Sequence, residues 1–275
     1  MNTDKGFVLK EVNGIKYYSI PRFEKTGLVK HMFTTRFGGV SPGPYESLNL
    51  GINTGDDNEN ITENFNRIIK LMDSTIDDIV VSNQLHTTNI EIIEGNEEYN
   101  GIDNRKLMKQ GIDGLITNKR DITLFTFYAD CVPLFYLDIK KKVIGLAHAG
   151  WRGTVNKIAS KMVDLMTKKY NCAPKDILVG IGPSIGPCCY VVGDDVYKKF
   201  NKNFTNLNNL MKPSGEGKWY LNLWEANKQA LQEIGILDRN IIVSEICTSC
   251  HTELLFSFRK ELGETGRMAA IIKLN

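Results

Sequence analysis

The chain has 275 residues, 42% hydrophobic, 24% charged and 9% aromatic, with 24 glycines and 8 prolines. Such a composition belongs to a globular chain that buries a core, and it excludes disordered, collagen-like and low-complexity polypeptides. Thirty-four Lys and Arg against 32 Asp and Glu leave a formal charge of +2, well short of a nucleic-acid footprint.

Residues 1–10 carry Asp4, Lys5 and Lys10 without an apolar core, so no signal peptide is expected there. Residues 6–11 and 15–20 read as strands joined at Asn13-Gly14, a strong hairpin pair. The glycine-rich stretch 34–42 is too broken for a regular element. Over 58–72, Ile61, Phe65, Ile68, Ile69 and Met72 recur at helical spacing. The short apolar runs 78–81, 90–93, 122–127, 134–137 and 143–147 predict partly or fully buried strands, with Lys140-Lys141-Lys142 in a turn.

Thr154 is placed to cap a helix over 154–170 that lines up Ile158, Met162, Leu165 and Met166. A strand at 177–181 and a Gly/Pro-rich loop lead on to 193–200. Asn222 caps a second helix that ends at Gly235, and strands at 241–245, 254–258 and 268–272 follow. Nothing resembling a repeat, a linker or a steady βαβ rhythm divides this order. A single α+β domain over 1–275, with mixed sheets and helices outside, is therefore expected. No stretch approaches the eighteen or so apolar residues of a membrane helix, which points to the cytoplasm and to no membrane partner.

Six cysteines are too sparse for a disulfide scaffold, and only four histidines are present. Three segments end apolar strands with reactive groups: Gln84-Leu85-His86, Ala129-Asp130-Cys131, and His148-Ala149-Gly150-Trp151-Arg152-Gly153. Two imidazoles and a thiolate suit a three-ligand zinc site with an open fourth position. Their spacing matches no short metal motif, and on the residues alone local hydrogen bonding and a core thiol are the preferred reading. The glycines after His148 lead into a helix whose backbone N–H groups, with Arg152 beside them, suit a phosphate; a surface arginine fits equally well. Cys247-Thr248-Ser249-Cys250 has C-x-x-C spacing but no second such pair for a zinc ribbon. One thiol of that pair, Cys250, is the candidate to stand near an active site, against two inert thiols. Cys188-Cys189 reads as packing. Gly182–Gly186 and Gly38-Gly39 with Arg36 are candidate pocket walls, although a solvated turn is the commoner fate of the latter.

Further ordered motifs accompany these: Thr35-Arg36-Phe37-Gly38-Gly39-Val40-Ser41, Ser47-Leu48-Asn49-Leu50-Gly51, Gly55-Asp56-Asp57, Asp113-Gly114, Gly182-Pro183-Ser184-Ile185-Gly186 with Tyr190, Ser257-Phe258-Arg259 and Thr265-Gly266-Arg267. Together they resemble the YfiH-like laccase-domain family, long labelled polyphenol oxidase and described as purine nucleoside phosphorylases. The resemblance spans nearly the whole chain and implies two mixed sheets packed together with helices on the outside. It implies a metal bound by His86, Cys131 and His148, with Zn2+ expected and copper as the alternative. It implies phosphorolysis of adenosine, inosine, guanosine or methylthioadenosine, and deamination of adenosine. Purine nucleoside and phosphate are then the partners of a monomer or small homo-oligomer.

On that footing Asn49 is a substrate contact, Arg36, Arg152 and Arg259 are candidate cations for phosphate, and Asp130 is the candidate acid for a departing amine. Asp130 can share a pocket with Cys131 only if the strand kinks between them, because neighbours on a strand face opposite ways. Two positions depart from the family pattern: Val191 stands where Glu is frequent, and Thr87 where Gly is common. The Thr87 change is expected to touch loop geometry alone. A multicopper laccase is excluded, since only His31 and His251 remain for a further copper cluster. A weakly active copper phenol oxidase, a metal-free cysteine hydrolase built on Cys131 and His148, and a non-catalytic purine binder are the alternatives, in that order.

Overall fold

Asn13 and Gly14 both take positive φ (51° and 79°), the turn whose twist matches a hairpin, and they join β1 (Val8–Val12) to β2 (Ile15–Ser19). The computed structural model describes residues 6–95 and 111–275, so the first half of the charged segment 1–10 lies outside the described residues. β1 and β2 continue into a six-stranded sheet with β3 (Val29–Thr34), β15 (Met268–Leu274), β7 (Thr123–Tyr128) and β4 (Ile79–Val81), in that order. A second six-stranded sheet runs β14 (Ile241–Val243), β10 (Ile177–Ile181), β8 (Val132–Asp138), β9 (Val143–Ala149), β6 (Ile112–Thr117) and β5 (Asn89–Ile92). Both are mixed: β4 lies parallel to β7, β5 to β6 and β14 to β10, while the other neighbours are antiparallel. A small sheet of β11 (Val191–Gly193), β13 (Lys218–Leu221) and β12 (Met211–Gly215) stands apart.

The unbroken apolar runs follow from burial on both faces. Along β8, Phe135 and Leu137 point into the layer between the large sheets, against Phe33, Leu124 and Ile272 of the first sheet. Leu134 and Tyr136 point the other way, under α4 (Ile158–Tyr170) and α6 (Leu223–Glu233), where Met162, Val163, Ala226 and Ala230 cover them. The outer face of the first sheet is covered by α2 (Asn58–Leu71), whose Ile61, Phe65 and Ile68 meet Met32, Phe125 and Ile271. Each such side chain, taken out of water, stabilises the fold by about 1.5–3 kcal/mol. The helix boundaries carry their own signals: Asp57 accepts from Glu59 N at 3.2 Å, and Asn222 from Glu225 N at 3.1 Å. The mixed sheets packed together with helices outside are thus the expected α+β fold.

Three local expectations are corrected. The helix over 154–170 is two, α3 (Trp151–Val155) and α4, divided by Lys157 at φ 58°. Thr154 is therefore inside α3 and not a cap, and its hydroxyl donates to Ala149 O. Residues 254–258 form no strand: the N–H groups of Leu254 and Leu255 turn back to His251 O, and Leu255 and Phe256 are buried as loop residues. Apolar runs of that length bury themselves without ladder partners when turns hold them. β3, β6 and the β12–β13 hairpin are present without having been foreseen; His31 and Lys30 interrupt β3's apolar pattern, and Asp113 and Gly114 that of β6.

His31 is buried in β3, where its Nε2 accepts the Ile20 N–H at 2.8 Å. Burial, with smaller opposed contributions from Glu24 and Lys10, drives its pKa from 6.5 down to about 4. The unfolded chain then takes up the proton first, so stability is complete above pH 6.5 and is lost as pH falls towards 4. The full effect is about 3 kcal/mol. Urea midpoints of the wild type and His31→Gln at pH 7 and pH 4.5 check this. The wild type should lose more stability than the variant, and equal losses would refute it.

Candidate active site at the junction of the two sheets

β7 leaves the first sheet at Tyr128 and β8 enters the second at Val132, so residues 129–131 cross between them. Val132 pairs with Ala149 and β4 ends beside β7, which brings the loop after β4, the crossover and the end of β9 to one rim. At the crossover Asp130 takes φ 92°, a conformation that costs a non-glycine residue about 1–3 kcal/mol unless its surroundings hold it. They do. The hydroxyls of Thr248 and Ser257 donate to Oδ1 at 2.6 and 2.7 Å, Arg259 N donates to Oδ2 at 2.7 Å, and Ile185 N donates to the Asp130 carbonyl at 2.9 Å. The kink turns both Asp130 and Cys131 into one cavity, where a regular strand would have separated them.

Three donor atoms meet at the back of that cavity. His86 (φ 59°), Cys131 and His148 place their ligand atoms within 4.8 Å of one another, with Cys131 Sγ 3.7 Å from His86 Nε2. Zinc bonds of about 2.3 Å to sulfur and 2.0–2.1 Å to nitrogen, spread tetrahedrally, put those two atoms about 3.6 Å apart, so the set fits Zn2+. Gly150 is required beside them: a Cβ there would lie 2.9 Å from His86 Cδ2 and 3.0 Å from Cys131 Sγ.

One buried carboxylate organises both histidines. Asp113, on β6, accepts from His148 Nδ1 at 2.7 Å, from His86 N at 3.2 Å and from Thr87 N at 2.7 Å. With Nδ1 donated to Asp113, His148 offers Nε2 to the sulfur, the arrangement that raises the basicity of a metal-binding imidazole. The Thr87 hydroxyl also donates to Asp113, at 2.8 Å, so the residue found where Gly is common supports a ligand as well as shaping a loop.

Electrostatics follow the geometry. Burial pushes the Cys131 thiol up, but the His148 charge and hydrogen bonds from both imidazoles outweigh it and bring its pKa to about 6. Burial likewise lowers His148, and the Cys131 thiolate and Asp113 overcome this to raise it to about 9. Asp113 is raised by burial and lowered more by its bonds to His148 and Thr87, so it stays ionised. Without an ion the pair therefore stands as thiolate and imidazolium, and a captured cation must displace the imidazolium proton.

The cavity in front of these ligands measures about 430 Å³, within the range of roughly 300–1,000 Å³ typical of small-molecule sites. Trp151, Tyr190, Phe127 and Phe258 supply aromatic wall, and Arg152, Arg259 and Arg267 supply positive charge. Arg152 stacks over Trp151 at 4.5 Å and, among the described residues, its guanidinium meets no acceptor. Arg259 lies over Tyr190 and donates to the Val191 carbonyl at 3.1 Å, so the side chain at 191 does not enter that contact. Arg267 donates to the carbonyls of Thr265 and Gly266. Burial, then the Cys131 charge, raises the Tyr190 hydroxyl well above its usual range and keeps it a neutral donor.

Of the residues singled out in the sequence, His86, Asp130, Cys131, His148, Arg152 and Arg259 line this cavity. Arg36, Asn49 and Cys250 do not. Arg36 is bound to Glu46 O, Thr252 O and Glu261, and so serves as a loop tie. Asn49 is fully buried beneath the rim, accepting from Gly51 N and Arg267 N and donating to Thr54 and Asp56, and so shapes the loop that forms one wall. Cys250 belongs to a separate group of thiols. The anion site expected at a long helix start loses its basis, since α3 has five residues and little dipole. Asp113, Tyr190 and Arg267 lay within the quoted motifs but had no role assigned; a carboxylate two positions after a glycine and an arginine after Thr-Gly gave no chemical signal alone.

Residues 30–275 match the family described as "Multi-copper polyphenol oxidoreductase laccase". The chain belongs to this family. Among its relatives are the protein named purine nucleoside phosphorylase YlmD of Geobacillus stearothermophilus, 39% identical over 87% of this chain and 88% of that one, and adenosine deaminase RL5 of an unknown prokaryotic organism, 30% identical over 87% and 91%. The crystal structure of the hypothetical protein YfiH of Bacillus licheniformis superposes with a TM-score of 0.89 at 32% identity, covering 97% of this chain and 99% of that one. Neither of the two remaining histidines joins that centre. His31 sits in the core against Ile20, and His251 is exposed and paired with Glu253 at 3.1 Å.

Proposed function

We propose that the chain is a Zn2+-dependent purine nucleoside phosphorylase, which cleaves the glycosidic bond of adenosine, inosine, guanosine or methylthioadenosine with phosphate to release the base and a ribose 1-phosphate. The observation that carries this reading is one cavity that joins the His86–Cys131–His148 ligand set to three guanidinium groups. A zinc ion held by His86 Nε2, Cys131 Sγ and His148 Nε2 would supply Lewis acidity at the cavity's inner end.

The protein's own groups account for the rest. Arg152, whose guanidinium meets no acceptor among the described residues, and Arg259, tied to Val191 O, would hold a phosphate dianion for attack on C1′. Cations fixed in advance stabilise the charge shift without rearranging, which is where such sites gain most. The aromatic walls suit the flat base, and the neutral Tyr190 hydroxyl can donate to it. Asp130, with both oxygens occupied by Thr248, Ser257 and Arg259 N, acts by holding the Arg259 turn against the cavity rather than as the acid. No described helix is long and apolar enough to cross a membrane, and a cytoplasmic setting suits a site that needs a reduced thiolate.

Adenosine deamination is a second activity of the same centre, supported by the open position of a three-ligand site and by the name of one relative. A metal-free reading also has geometric support: Cys131, His148 and Asp113 stand in the order of a cysteine hydrolase triad. It leaves His86, aimed at the same sulfur, without a task. Arg152→Ala tests the phosphate assignment. The KM for phosphate should rise about 10–100-fold, the loss of a charge-assisted contact worth about 1.5–3 kcal/mol, while the KM for inosine changes far less. An unchanged phosphate KM would remove Arg152 from that role.

A further inference from the structure

Outside the cavity, four of the six thiols come together. Cys188 and Cys189 follow the Gly182–Gly186 loop, and Cys247 and Cys250 flank a turn closed by Cys250 N to Cys247 O at 3.2 Å. All four Sγ atoms lie within 4.8 Å of one another, Cys250 being 3.5 Å from Cys188 and 3.4 Å from Cys189. Four sulfurs at about 2.3 Å from a tetrahedral zinc are about 3.8 Å apart, close to this spread. A single disulfide would need two of them.

The backbone around the group is built to hold it. Gly186 N donates to Cys247 Sγ at 3.2 Å, an N–H contact that favours a thiolate. A Cβ on Gly186 would come within 3.1 Å of Cys247 Cβ and 3.2 Å of Cys188 Sγ, so the loop approaches this closely only as glycine. The two segments are already stitched by Ser184 N to Ile246 O and Thr248 N to Ser184 O, at 3.1 and 3.0 Å. Cysteine is among the most buried residue types, yet Cys188 and Cys250 are exposed, so packing does not explain the group and an ion can reach it. The C-x-x-C pair that lacked a partner in the sequence has one in space, contributed by an adjacent Cys-Cys.

We propose that Cys188, Cys189, Cys247 and Cys250 form a second, tetrathiolate Zn2+ site, separate from His86, Cys131 and His148, that clamps two loops behind the cavity wall. Cys189 precedes Tyr190, and Thr248, between the other two ligands, donates to Asp130. The ion would thus fix both the aromatic wall and the kink beside Cys131. Binding deprotonates the four thiols, their protons passing to buffer, and involves no redox change.

Full-length protein, purified with reductant and without chelator, is analysed for zinc by mass spectrometry. The Cys131→Ser variant, which lacks a ligand of the first site, reads this site alone and should keep one zinc per chain. Adding Cys188→Ser and Cys250→Ser should abolish it. Cobalt exchanged into Cys131→Ser should show tetrahedral d–d bands and intense thiolate charge transfer. Folded Cys131→Ser that binds neither zinc nor cobalt would overturn the proposal, as would an intact mass lower by the two hydrogens of a disulfide. If the triple variant does not fold, the stoichiometry and cobalt spectrum of Cys131→Ser still decide the matter.

Discussion

Replacing Cys131 by alanine should lower phosphorolysis by about a thousandfold or more and remove the ion held with His86 and His148. Lewis-acid stabilisation is worth several kcal/mol, and about 4 kcal/mol corresponds to that factor. The sulfur is the one anionic ligand of the set, and its pKa of about 6 already makes it a thiolate at neutral pH. The metal-free triad also loses its nucleophile in this variant, so the decisive companion is the wild type stripped by a strong chelator. It should lose activity to the same extent and regain it with Zn2+. Stripped protein that keeps full activity, while thiol alkylation still kills it, would transfer the chemistry to the Cys131–His148–Asp113 triad.

Asp113→Asn should have the second largest effect, although Asp113 touches no substrate. The carboxylate accepts four hydrogen bonds, from His148 Nδ1, His86 N, Thr87 N and the Thr87 hydroxyl. An amide presents two donors of its own, so either orientation sets an N–H against an N–H. Groups that orient metal ligands typically alter affinity by about 10–100-fold, and zinc affinity measured by chelator competition should fall in that range. A buried donor left without an acceptor adds a loss of about 1–3 kcal/mol, visible as a lower Tm. An Asp113→Asn protein with wild-type zinc affinity would show that His148 needs no carboxylate to hold its tautomer.

What could be read from the sequence divides along physical lines. Periodicity disclosed α2 and the central strands because each buries an apolar face that nothing else explains, and Asn13-Gly14 disclosed the hairpin because few other pairs tolerate two positive φ values. The ligand set did not emerge from spacing, since His86, Cys131 and His148 meet only through strand pairing between distant segments; the motifs around them carried it. Arg36 and Asn49 sat in equally telling motifs, yet both hold loops together from beneath. A motif marks a position that matters without saying whether the side chain meets a ligand or a neighbour. Asp130 shows the same limit in finer detail: its kink was anticipated as a condition for reaching the cavity, but the Thr248, Ser257 and Arg259 contacts come from more than a hundred residues away. The thiol group was invisible for the same reason, because half of it is an adjacent pair that matches no metal pattern.

Product analysis with inosine decides whether one cavity unites the ligand set with a phosphate site. Purified, zinc-loaded protein incubated with inosine and phosphate should release hypoxanthine and ribose 1-phosphate in equal amounts, and should release neither when phosphate is left out. Release of hypoxanthine with free ribose, unaffected by phosphate, would contradict a phosphate site in this cavity.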